Sequence, residues 1–187
     1  MRKIVFLMAL LSSLAFANTE LERQCNNGDT GSCVDLGILY FKGDGVKQDY
    51  KKAREFYNKA CEMGEAKSCK TLGYLYFKGD GVKQDYKKAR EFYGKACEMG
   101  EALGCHHLGY LYFGGLGVRQ DYKKANDLYS KACKMGDAKS CGALGILYYK
   151  GTGVRKDYNK AMEFFGKACD LGEQKGCDAY KKMKLNP

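Results

Sequence analysis

Ten cysteines stand in this chain, and all ten obey one rule: a cysteine, seven residues, a second cysteine. The pairs are Cys25/Cys33, Cys61/Cys69, Cys97/Cys105, Cys133/Cys141 and Cys169/Cys177. Successive first members lie 36 residues apart, and so do successive second members. A glycine follows three positions after each first cysteine, at Gly28, Gly64, Gly100, Gly136 and Gly172. A fixed period of this length makes the chain a repeat array, in which each unit buries its apolar face against its neighbours.

The grid also speaks to compartment. Paired cysteines persist where the surroundings are oxidising. The start of the chain agrees: Arg2 and Lys3 are basic, Ile4 to Leu11 is apolar, and Ala15-Phe16-Ala17 is a small-x-small site. That pattern predicts a signal peptide over residues 1–17, cut before Asn18. The apolar run is short of the roughly 20 residues a membrane span needs. The expected product, residues 18–187, is a single repeat domain, secreted or periplasmic, with no membrane span. The full chain has a formal charge of +10, which falls to +8 once Arg2 and Lys3 are removed. Nucleic acid is not an expected partner of an exported chain, and a monomer is expected.

Helices are permitted throughout, because the sole proline is Pro187. Asn18 to Gln24 opens a short helix, with Thr19 and Glu22 fitting a capping box. From Cys61 the unit is clearest. Ala66, Cys69, Leu72, Gly73 and Tyr76 recur at three and four residues, which is one face of a helix. Gly79-Asp80-Gly81-Val82 breaks it, and Asp85 is placed to cap a second helix. Tyr86, Ala89, Phe92, Tyr93 and Ala96 mark that helix's buried face. Each unit is thus a helix–turn–helix hairpin, roughly 29–64, 65–100, 101–136 and 137–172, with a cap over 173–187. The cap departs from the pattern: Tyr180-Lys181 replaces the Leu-Gly pair, and a polar-faced end keeps a stacked array soluble. The pairs Leu36-Gly37, Leu72-Gly73, Leu108-Gly109 and Leu144-Gly145 align. Glycine inside a helix costs about 1 kcal/mol against alanine. The expectation is therefore a close backbone approach, with the second helix's small alanines facing the glycine.

The words Leu72-Gly73-Tyr74-Leu75-Tyr76, Gly79-Asp80-Gly81-Val82 and Asp85-Tyr86-Lys87-Lys88-Ala89 resemble the Sel1-like repeat family, a relative of the tetratricopeptide repeat. With the cysteine grid and the signal peptide, the chain is similar to the secreted Helicobacter cysteine-rich proteins. The resemblance covers about Asn18 to Lys184. It implies an all-α fold: a right-handed α-solenoid of about four 36-residue helix–turn–helix repeats plus a C-terminal capping helix. Members of the cysteine-rich family are described as penicillin-binding and carry a β-lactamase label, so the resemblance also implies β-lactam hydrolysis as an alternative activity.

Two disulfide schemes are open. One joins Cys33 to Cys61 within a hairpin but leaves Cys25 and Cys177 without partners. The other joins Cys25 to Cys33, Cys61 to Cys69, Cys97 to Cys105, Cys133 to Cys141 and Cys169 to Cys177, and leaves none over. We expect the second, which ties each hairpin to the next. Zinc and dithiol spacings, two to four residues and Cys-x-x-Cys, do not occur. No metal or cofactor is expected.

Catalytic motifs are equally absent. No His-Glu-x-x-His, Ser-x-x-Lys, Ser-Asp-Asn or Lys-Thr-Gly occurs. The Gly-x-Gly turns lack a phosphate loop's third glycine. Positions that differ between units are where specificity can lie. One, five and eight residues after the second cysteine run Val34, Lys70, His106, Gly142; Ile38, Tyr74, Tyr110, Ile146; and Phe41, Phe77, Phe113, Tyr149. These share a helical stripe. In tetratricopeptide-like stacks the first helices line the concave surface. Lys70, Tyr74, Phe77, His106, Tyr110, Phe113, Ile146 and Tyr149 are therefore the candidate ligand groove. Its expected occupant is a peptide or protein segment, or a peptidoglycan- or β-lactam-like molecule. The plainer alternative is that the aromatics are core between units. His106 is the candidate catalytic base, since its unperturbed pKa of about 6.5 suits proton transfer. Glu101, five residues earlier, is off its face, and the plainer expectation is a solvated histidine. The ladder Lys51-Lys52, Lys87-Lys88, Lys123-Lys124 is either a solvated helix face or a contact for an anionic surface.

Overall fold

The computed structural model describes residues 18–185. The expected signal peptide, residues 1–17, lies outside them. The described residues are helices and turns, with no strand. α1 covers residues 18–26. It is followed by α2 (Thr30–Lys42), α3 (Tyr50–Glu62), α4 (Ala66–Lys78), α5 (Tyr86–Glu98), α6 (Ala102–Gly114), α7 (Tyr122–Lys134), α8 (Ala138–Lys150), α9 (Tyr158–Asp170) and α10 (Gln174–Leu185). Even-numbered helices are the first of a hairpin, odd-numbered ones the second. Thr19 lies inside α1 rather than at its cap, and Cys25 is also within that helix. The chain divides into two compact units, with the boundary in the sequence between Gln84 and Asp85.

The ends of the helices follow from single residues. Asp49 and Asp85 each accept two backbone N–H groups of the second helix they open, and Asp121 and Asp157 each accept one. First helices stop at a left-handed glycine, Gly43, Gly79, Gly115 or Gly151, whose N–H reaches back four residues to a leucine carbonyl. That backbone suits glycine, which lacks the Cβ that makes positive φ costly.

All five disulfides of the chosen scheme form, with Cα separations from 4.5 to 4.8 Å. Each joins the end of one second helix to the next first helix. In the three internal pairs both cysteines are buried. In the unit from Asp85 onward, Cys133 and Cys141 belong to a core with Ala125, Tyr129, Leu144, Leu147 and Ala168.

The Leu-Gly expectation needs correction. The glycine meets an aromatic ring first, and at Gly109 an alanine also comes close, through the Ala125 carbonyl at 3.4 Å from an added Cβ. An added Cβ would come 2.7 Å from the Tyr57 ring at Gly37, 3.0 Å from the Tyr129 ring at Gly109 and 2.6 Å from the Phe165 ring at Gly145. The alanines serve elsewhere: Ala96 and Ala168 face Gly104 and Gly176, each 2.7 Å from the added Cβ. The residue just before each second cysteine is small because it crosses the disulfide-bonded helix there. The residue after the leucine is small because a flat ring covers it.

Candidate functional site

The stripe is spread over three first helices, one in the first unit and two in the second. In the unit ending at Gln84, α4 carries Lys70, Tyr74 and Phe77. Tyr74 is 40% exposed, and the other two are partly buried. In the unit from Asp85, α6 carries His106, Tyr110 and Phe113, and α8 carries Ile146 and Tyr149. Tyr110, Ile146 and Tyr149 are each close to half exposed. Leu72 and Leu144, on the neighbouring face, have no exposure. Tyr110, Phe113, Ile146 and Tyr149 are therefore surface, not core between repeats.

The lower edge of the stripe is held still. Phe113 meets Tyr122 edge to face at 5.3 Å, and Tyr149 meets Tyr158 the same way at 5.4 Å. Phe41 and Tyr50 repeat the contact. The Gln120 amide donates to the Phe113 carbonyl at 2.8 Å, as Gln48 and Gln84 do to those of Phe41 and Phe77. Edge-on aromatic pairs are worth about 0.5–1.5 kcal/mol beyond burial. Rings fixed in this way offer contact area without much entropy left to lose.

His106 is not the solvated histidine expected. Its side chain is 19% exposed, and Nδ1 lies 2.8 Å from Ser140 Oγ and 3.4 Å from Asp137 Oδ2. The carboxylate beside it comes from the start of α8, in the following repeat, and not from Glu101. A carboxylate only accepts hydrogen bonds. All three groups are satisfied when Nδ1–H donates to Ser140 and the serine hydroxyl turns to Asp137. Asp137 also accepts the Ser140 backbone N–H at 2.8 Å. Burial raises the Asp137 pKa, but the His106 hydrogen bond, the Ser140 N–H and the imidazole charge outweigh it and hold the carboxyl below its usual value. Rings close the site: Tyr129 lies 5.6 Å and His107 5.2 Å from His106, and Tyr93 lies 5.0 Å from His107. Burial, then the Tyr110 hydroxyl, push the Tyr129 pKa up.

Serine, histidine and aspartate together invite a hydrolase reading, and the geometry does not carry it. A nucleophile must reach substrate, whereas Ser140 has no exposure. Nδ1 of the histidine is taken up by that same buried hydroxyl. The Asp–Ser pair also recurs without histidine: Asp29 accepts the Ser32 N–H and is bonded by its hydroxyl, and Gln24 Oε1 sits 2.9 Å from that same hydroxyl. The pair is a helix-capping device, and His106 is its third member in one repeat. Sequence reasoning missed Asp137 and Ser140. The signal was present in Asp137-Ala-Lys-Ser140, an N-cap spacing that matches Asp29-Thr-Gly-Ser32.

The lysine ladder divides into two roles. The second lysine of a rung lies over a first-helix ring: Lys52 is 4.8 Å from the Tyr40 centroid, and Lys124 is 4.5 Å from that of Tyr112. Lys160, where the ladder breaks, does the same over Tyr148 at 5.3 Å. The first members, Lys51, Lys87 and Lys123, are exposed. Among the described residues no group of three His, Cys, Asp or Glu side chains is placed to hold a metal. No described helix is long and apolar enough to cross a membrane.

Stapled helical hairpins of this period, closed by glycine turns, define a class of α-helical repeat protein. Four stretches of the chain, residues 31–65, 66–101, 102–137 and 138–173, match the Sel1 repeat. The chain belongs to the Sel1 repeat family, and its fold is the all-α Sel1 repeat fold. Three solved structures are similar. One is c5321, a protective antigen of uropathogenic Escherichia coli with an SLR fold: 34% identity, 85% of this chain and 34% of that one, TM-score 0.81. Another is a Sel1 repeat protein from Oxalobacter formigenes: 27% identity, 88% of this chain and 74% of that one, TM-score 0.76. The third is Helicobacter pylori cysteine rich protein B: 38% identity, 73% of this chain and 98% of that one, TM-score 0.58. This chain thus spans about a third of the E. coli antigen's length. No curated protein matches it.

Proposed function

We propose that the chain is an exported, disulfide-stapled Sel1 repeat scaffold that binds an extended peptide or protein segment along its first helices. One observation carries this: Tyr110 and Ile146, at corresponding positions of consecutive repeats, stand 46% and 48% exposed beside fully buried leucines. Large apolar side chains held on a surface at one-repeat intervals suit a ligand that presents apolar side chains in series. Such side chains near a rigid aromatic edge are what peptide-binding hot spots are made of. Export is supported by the five disulfides and by the likeness to the Helicobacter protein. A contact with an anionic surface would use Lys51, Lys87 and Lys123. The β-lactamase reading has no support in the site, because Ser140 is sealed and His106 is committed to it.

The test is selection of peptides from a displayed library on the oxidised protein, followed by titration of the winners. Tyr110→Ala and Ile146→Ser should each weaken binding about tenfold, the effect of losing about 1.4 kcal/mol. Winners that bind both variants as they bind the parent would overturn the site. Winners displaced by a muropeptide or a β-lactam would place those ligands on the same face.

A further inference from the structure

Within each unit, the second glycine of a repeat's turn is seated on the first residue of the preceding second helix. An added Cβ on Gly81 or Gly153 would overlap the Cβ of Tyr50 or Tyr122, and on Gly117 it would come 2.6 Å from that of Tyr86. Only glycine fits so close a seat. At Tyr50 the seat has a further device: Arg54, four residues along α3, donates from Nη1 to the Gly81 carbonyl at 3.4 Å.

Tyr158 opens α9 as Tyr50, Tyr86 and Tyr122 open α3, α5 and α7. No turn follows α10 among the described residues, and Tyr158 is 51% exposed. Tyr158 lines a cleft of about 550 Å³ together with Tyr149, Met162, Phe165, Met183 and Lys182. Met162 holds Arg54's place, four residues after the tyrosine, and has no proton to donate.

We propose that this cleft receives the Gly43-Asp44-Gly45-Val46 turn of a second copy, joining chains head to tail. The cleft continues an interface that the chain already makes with its own turns. The incoming turn has the sequence of Gly79-Asp80-Gly81-Val82, which fills the Tyr50 seat. It has that turn's backbone too: φ is 78° and 71° at Gly43 and Gly45, against 84° and 64° at Gly79 and Gly81. Asp44 and Gly45 are exposed, and Asp44 is opposite in charge to Lys182. Because turn and seat are different surfaces, the contact is heterologous and grows open chains rather than a closed dimer. Without an arginine at Met162 it is weak, and the expected monomer is its dilute form.

Sedimentation equilibrium of the oxidised full chain from 10 µM to 1 mM (order-of-magnitude choices spanning weak affinities) tests this. The parent should associate reversibly past the dimer. Met162→Arg restores the donor and should tighten association about fivefold. Met162→Glu sets a carboxylate against Asp44 and should stay monomeric, with an unchanged helical circular dichroism spectrum. Gly45→Val, its turn blocked, should also be monomeric. Mixing those two monomers should give 1:1 dimers and nothing larger, since one intact turn meets one intact seat. A parent that stays monomeric at 1 mM, or a mixture that forms no dimer, overturns the proposal.

Discussion

His106 is legible as a residue and not as a site. From the sequence the natural place to look for its partner is its own helix, where Glu101 lies off-face. The partner instead arrives with the next repeat, because the start of α8 comes against α6 and brings Asp137 and Ser140 to its ring. The pair has a signed consequence for stability. Asp137's carboxyl titrates lower in the fold than its ordinary value, with burial opposing and His106 leading the groups that prevail. A depressed folded pKa stabilises above the unfolded carboxylate range and loses that contribution as pH falls through the folded value. His106→Ala should therefore cost about 1–2 kcal/mol near neutral pH, the loss of the hydrogen bond to buried Ser140 and of the imidazole 3.4 Å from the Asp137 carboxylate. The gap between parent and variant should close as pH falls below the carboxylate range. Urea melts at pH 7, 5 and 3 (values placed around the carboxylate range near pH 4) read this directly. A gap that persists undiminished in acid would mean that the imidazole acts by packing alone.

Between elements, glycine does two different jobs that the sequence writes with the same letter. Gly145 lies under the Phe165 ring, 2.6 Å from where a Cβ would stand, while Gly94 on α5 has nothing within 4 Å. Gly145→Ala must push a buried ring aside, and overpacking of this kind costs about 1–3 kcal/mol even after the helix-propensity gain. Gly94→Ala meets open space and should stabilise by up to about 1 kcal/mol. Thermal melts of the two variants should move in opposite directions, and a loss at Gly94 would contradict the open space beside it. The contrast explains what was readable. Helix ends were, because Asp49, Asp85, Asp121 and Asp157 and the turn glycines act through their own backbone neighbours. The partner of the Leu-Gly pair was not, because Tyr57, Tyr129 and Phe165 lie on another helix whose rotation only packing decides. Leu75, Leu111 and Leu147 were missed as core for the same reason: they sit one residue off the marked face and are almost fully buried.

At the scale of the molecule, the four disulfides from Cys61 onward stand at joints packed less extensively than the hairpins α2–α3, α6–α7 and α8–α9. Packing within a hairpin, as between α8 and α9 or α2 and α3, is more extensive than packing across a disulfide, as between α3 and α4 or α7 and α8. The joints are not alike, however, since α5 and α6 pack more closely than α7 and α8. All five bonds close loops of the same length, with a sequence separation of 8. If a disulfide acts by limiting the unfolded chain, each is worth about 2.5 kcal/mol whatever surrounds it. The three internal bonds make a controlled comparison. Replacing both cysteines by alanine at Cys61/Cys69, Cys97/Cys105 and Cys133/Cys141 in turn should cost about the same each time, within about 0.5 kcal/mol. Urea melts monitored by helical signal give the three values. A graded series, with the loss at Cys97/Cys105 smallest, would instead mean that the bonds act in the folded state by clamping thinly packed joints. The entropic account would then fail for this array, because it assigns equal loops equal weight.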